Sequence, residues 1–143
     1  MKSVKSINHI GIAVRSIDAR RPFYEGTLGA VYEGTEEVAD QKVRVGFFRV
    51  GDVRLELLEP SDPTSTIAAF LDKKGEGVHH IAYTVEDIEA RIAELQDNGV
   101  RMIDQSPRKG AHHTRIAFVH PKSSCGVLTE LCEPVGEHGT IDS

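Results

Sequence analysis

The segment His80–Arg91, HIAYTVEDIEAR, repeats His9–Arg20, HIGIAVRSIDAR, with His, Ile, Val, Ile, Ala and Arg at matching places. A second pair repeats as well: Arg54–Pro60, RLELLEP, and Leu128–Pro134, LTELCEP, share Glu, Leu, Glu and Pro. Self-similarity at this scale sets the architecture before any single element does. It predicts two related halves.

Each half reads in the same order. INHIGIAV alternates as a strand does, and Ser16 is a suitable cap for a helix running toward Gly29, with Pro22 either in its first turns or kinking it. Strands are expected at about 30–38, 43–50 and 52–59, with Val50-Gly51-Asp52-Val53 as a tight hairpin. A connector helix follows at about 64–73, with Ile67, Phe70 and Leu71 on one face. The second half has a strand at 78–85, a helix carrying Ile88, Ile92 and Leu95 and ended by Asn98-Gly99, then strands at about 100–103, 115–119 and 127–132. The pattern is βαβββ twice in one domain spanning 1–143: module one at about 5–60, module two at about 78–134, and a tail over 135–143.

The repeat also singles out side chains. His80 aligns with His9, whereas its neighbour His79 aligns with Asn8 and, on a strand, points to the opposite face. Glu56 aligns with Glu130, and both lie inside apolar runs although glutamate is disfavoured in strands. Any one of these residues alone is better read as an ordinary strand residue. Together they make a set, because a buried carboxylate needs a cation or strong donors. Two imidazoles and two carboxylates without a thiolate suit a borderline divalent ion. Four protein ligands around a six-coordinate ion leave two positions for a chelating substrate.

Bulk composition narrows the function classes. The chain has 143 residues, 39% hydrophobic and 27% charged, as soluble globular domains have. A net charge of −5 argues against general nucleic-acid binding. No apolar run approaches a membrane span, and MKSVKSINHIGIAV lacks the apolar segment of an export signal. Cys125 and Cys132 match no metal motif and read as reduced thiols of a cytoplasmic protein.

The motifs NHIGIAV, LELLEP, GEGVHHIAYTVEDIEA, STIAAFL and RIAFVHPKSSCGVLTELCEP resemble those of the vicinal oxygen chelate superfamily, and nearly the whole chain is similar to its methylmalonyl-CoA epimerase family. The resemblance implies an α+β fold in which the two modules form a cup-shaped mixed sheet around one metal, with His9, Glu56, His80 and Glu130 as ligands. It implies a homodimer, and a divalent cofactor, cobalt by family habit with manganese, nickel or zinc as substitutes. The reaction implied is interconversion of (2R)- and (2S)-methylmalonyl-CoA by C2 proton abstraction and return. Glu130 is the expected first acid/base. Some family members carry a second glutamate where this chain has Val45, so Glu56, an acid of EEVAD (Glu36, Glu37 or Asp40) or a water is expected to replace it, with Glu56 preferred.

The remaining polar residues read more plainly. His112 and His113 suit a loop rim, and His120 before Pro121 suits a structural turn. Lys73, Lys74, Arg108, Lys109 and Lys122 are candidates for coenzyme A phosphates, and Gln41 for an approach to the site. The competing readings are a glyoxalase I-like lyase and a ligand-sequestering protein of the same fold.

Overall fold

The computed structural model describes residues 2–135; the expected tail lies, from residue 136 on, outside the described residues. The chain divides into two compact units, one of His9–His79 and one in which the segment up to Asn8 joins the chain from His80 onward.

In the first unit, strand β1 (Ser6–Ala13) lies parallel to β4 (Val53–Pro60), and β4 is antiparallel to β3 (Val43–Val50), which is antiparallel to β2 (Val31–Val38). Helix α1 (Ile17–Arg21) starts where expected: Ser16 Oγ accepts the Ala19 N–H at 3.1 Å. Pro22 then widens the helix into a π-type turn over Pro22–Thr27, closed by the Leu28 N–H on the Phe23 carbonyl. The helix covers one face of the sheet, where Val14, Ile17, Ala30, Phe48 and Leu57 form a core cluster. The Val50–Val53 hairpin is present, with Gly51 at φ +60°. Helix α2 (Thr66–Lys74), capped by Ser65, buries Ile67 and Leu71, while Phe70 meets the His79 ring edge-on at 5.0 Å.

The second unit repeats this plan with differences. Strand β5 (Gly77–Thr84) is parallel to β8 (Thr129–Pro134), and β8 is antiparallel to β7 (Thr114–Val119). Helix α3 (Ile88–Asp97) is capped by Asp87 and packs Ile88 and Ile92 on Ala117, Val119 and Leu131. The strand expected at 100–103 is a correction. Only a Met102–Val119 bridge forms there, and the strand partner of β7 is the short β6 (Arg108–Lys109). Asp104 accepts the Phe118 N–H and Pro107 has no N–H to give, so a continuous ladder cannot run through this segment. Two βαβββ modules, an α+β fold, are therefore present among the described residues. No helix among them is long and apolar enough to cross a membrane.

Candidate metal and substrate site

Strand alternation sorts the two histidines of HH. His80 is buried at 4% exposure, whereas His79 is half-buried and turned toward Phe70. In each unit the buried imidazole then meets the buried glutamate by the same diagonal.

In the first unit β1 and β4 pair His9 with Arg54 and Gly11 with Glu56, which puts Glu56 one step along the same face from His9. Gly11, opposite the carboxylate, carries no side chain to block the approach. His9 Nδ1 and Glu56 Oε2 come to 3.3 Å, both residues nearly inaccessible. In the second unit β5 and β8 pair Ala82 with Glu130, again with a small residue opposite the carboxylate and the histidine two residues earlier. His80 Nε2 and Glu130 Oε1 are 3.0 Å apart. Each glutamate also has a phenylalanine directly across the antiparallel ladder, Phe47 beside Glu56 and Phe118 beside Glu130. The Phe118 ring meets His80 edge-on at 5.4 Å.

Carboxylates buried on a sheet face beside aromatic rings are costly unless a positive charge shares them. Each unit thus holds one nitrogen and one carboxylate donor on a dry face, and this donor chemistry fits a divalent ion bound through nitrogen and oxygen. One donor on that face escaped the sequence reading. Cys132, fully buried and two residues beyond Glu130, brings its Sγ within 4.8 Å of a Glu130 carboxylate oxygen. Strand alternation alone would have found it, since residues i and i+2 share a face.

The other candidates sort by register. Glu36 pairs with Val45, and Val45 with Leu58, two residues from Glu56; Glu36 is therefore on the Glu56 face and is half-buried. Glu37 pairs with Arg44 on the other face, and Asp40 is exposed in the turn Ala39–Gln41, which also holds Gln41. His112 and His113 sit in a loop at φ +60° and +56°. The His120 Nδ1 accepts the Lys122 N–H at 3.1 Å, as a structural turn residue would; burial, Arg101 and Lys122 hold its imidazole below the ordinary range. Lys73 and Lys74 close α2, Arg108 and Lys109 form β6, and Lys122 lies in the Pro121–Ser123 turn.

The chain has relatives among known proteins. The sequence profile of the Glyoxalase/Bleomycin resistance protein/Dioxygenase superfamily matches residues 8–118. An uncharacterized protein of Bacillus subtilis is 47% identical over 131 residues, 92% of this chain and 94% of the relative. The ethylmalonyl-CoA/methylmalonyl-CoA epimerase of Cereibacter sphaeroides is 39% identical over 127 residues, 87% of this chain and 95% of the relative. A single-residue variant of Streptomyces coelicolor methylmalonyl-CoA epimerase, solved with 2-nitronate-propionyl-CoA, superposes with a TM-score of 0.88 at 42% identity, covering 92% of this chain and 95% of that one.

Proposed function

We infer that this chain, which belongs to the glyoxalase/bleomycin resistance protein/dioxygenase superfamily, is an isomerase that interconverts (2R)- and (2S)-methylmalonyl-CoA. The carrying observation is the buried His–Glu pair set at the same register position in both units, in a chain whose relatives include epimerases of this substrate.

His9, Glu56, His80 and Glu130 would together hold one divalent ion, with the two modules acting as a single domain. Bound there, the ion supplies Lewis-acid stabilisation of the negative charge that develops on the thioester oxygen as the C2 proton leaves. That help is needed because the neighbouring carboxylate makes C2 a poor acid. Inversion requires proton removal on one face of C2 and delivery on the other, so two acid/base groups are required. Glu130 takes one role and Glu56 the other. Phe47 and Phe118, directly across the ladders from them, keep water from the flanks of both carboxylates. A dry flank strengthens charge interactions and slows loss of the abstracted proton to solvent.

Cobalt as the ion, a homodimer and a cytoplasmic location belong to the same proposal. Cys125 and Cys132 stand as thiols rather than in a disulfide, in keeping with a reducing compartment. Metal analysis of the purified protein, sedimentation and cell fractionation test these three parts.

The deciding experiment incubates metal-loaded protein with each epimer in deuterated water and follows C2 deuterium by mass spectrometry, beside a chelator-treated sample. Metal-dependent exchange with loss of stereochemical purity is expected. No exchange above the chelated control, with metal bound, rejects the epimerase.

A further inference from the structure

Among the described residues, one buried side-chain nitrogen lacks a hydrogen-bond partner: Nε of Arg54. Its position is informative. Arg54 is in register with His9 across β1 and with Arg49 across β3, two residues before Glu56 on β4. It therefore shares a sheet face with both His9 and Glu56. The side chain is only 19% exposed, and its guanidinium carbon lies 5.6 Å from the centroid of the Phe47 ring.

The nearest carboxylate does not satisfy it. Glu33 sits where β2 shifts register between Tyr32 and Thr35, beside Gly34 at φ +109°, a backbone angle that favours glycine. Its Oε1 stands 3.6 Å from Arg54 Nε, too far for a hydrogen bond, while its Oε2 accepts Arg49 Nε at 2.8 Å. The hydrogen bond goes to Arg49, and Arg54 keeps only the longer ion-pair contact. A buried donor left unmade costs about 1–3 kcal/mol, and such atoms in folded proteins call for an explanation. A planar guanidinium fork with open donors matches a carboxylate through two parallel hydrogen bonds.

The repeat sharpens the case. Arg54 corresponds to Leu128, which likewise stands two residues before its glutamate. The metal-type donors recur in both halves, and this cation does not. A single ion tolerates equivalent halves, but a substrate with a carboxylate on one arm and a thioester on the other does not.

We propose that Arg54 receives the free carboxylate of the acyl-CoA substrate and so determines which of its two arms enters the His9–Glu56 half. The proposal rests on the epimerase reading and adds the residue that makes the substrate class a carboxylated acyl-CoA.

The test compares wild type, Arg54→Leu (the residue of the second half) and Arg54→Lys in calorimetric binding of methylmalonyl-CoA, propionyl-CoA and free coenzyme A, with metal content and thermal melting checked for each. Methylmalonyl-CoA should bind about 10- to 100-fold more weakly to Arg54→Leu, with part of the loss restored in Arg54→Lys. Propionyl-CoA, which lacks the carboxylate, and coenzyme A should bind unchanged. Equal weakening of all three would place Arg54 on the coenzyme A phosphates and overturn the proposal; so would unchanged methylmalonyl-CoA binding. If Arg54→Leu melts early, the Arg54→Lys arm decides by the ratio of the methylmalonyl-CoA to propionyl-CoA affinities. Wild-type protein that binds the substrate but exchanges no C2 proton would reject the epimerase reading while leaving the carboxylate discrimination measurable.

Discussion

The two halves agree at their buried His–Glu pairs and disagree around them. His9 and Glu56 match His80 and Glu130, and Phe47 beside Glu56 matches Phe118 beside Glu130. Two residues further along those ladders, Val45 matches Ile116, and both are buried. The edge-strand residues that pair with them carry opposite charges: Glu36 faces Val45, whereas Arg108 faces Ile116 and lies over the Phe118 ring at 5.4 Å. Arg54 against Leu128 is a third departure. Under the proposed function, the symmetric positions would serve the shared ion and the asymmetric ones a substrate whose two ends differ chemically.

The largest effects are expected at the glutamates. Glu56→Gln and Glu130→Gln should each lower turnover by about 10²–10⁴-fold. If the halves divide the chemistry, the two variants should block deuterium exchange from different epimers while metal stays bound. Exchange of both epimers at the wild-type rate in Glu56→Gln would remove Glu56 from the mechanism. The histidines come next: His9→Ala and His80→Ala should both lose the ion on dialysis, read by elemental analysis. Loss in only one of them would show that the repeat is not functional in both halves.

Packing offers a smaller contrast. Gly46 on β3 corresponds to Ala117 on β7, and Ile17 to Ile88. In the first half a Cβ at Gly46 would stand 2.9 Å from Ile17 Cγ2, so Gly46→Ala should cost about 1–3 kcal/mol of stability by overpacking. Denaturant titration measures it, and a neutral result would mean that α1 shifts freely. The smallest effect is expected at Glu76, which ties the first half together by accepting the Arg15 N–H and Arg20 Nε, each at 2.8 Å. Those bonds hold its carboxyl below the ordinary glutamate range, the Arg15 N–H contributing most. A lowered pKa means stability that is complete above about pH 4.3 and is lost as pH falls through the folded-state value. Glu76→Gln should therefore cost about 1 kcal/mol at neutral pH, with the gap to wild type closing in acid.

Much of this is legible from the chain. Ser16 caps its helix, Val50–Val53 turns as expected, and strand alternation separates His80 from His79. The misses have physical causes. The strand expected at 100–103 has an apolar pattern, but Asp104 takes a ladder N–H from Phe118 and Pro107 offers none, so pairing waits until Arg108. Pro22 marks a disturbance of its helix without revealing that the turn widens rather than breaks. Motif spacing passes over Cys132, because a lone thiol beside a carboxylate on one strand face matches no spacing rule.

The duplication, the α+β class and the four residues that recur at equivalent places are readable from the chain alone, because periodicity and repetition are properties of residue order. Strand pairing supplies the rest: each histidine reaches its glutamate diagonally past Gly11 or Ala82, the β2 register shift leaves Glu36 opposite Val45, and Arg54 holds a buried donor on the face of His9 and Glu56. Those outcomes depend on strand register, which is set by hydrogen bonds between residues far apart in the chain, and a one-residue slip would turn every one of these side chains to the other face.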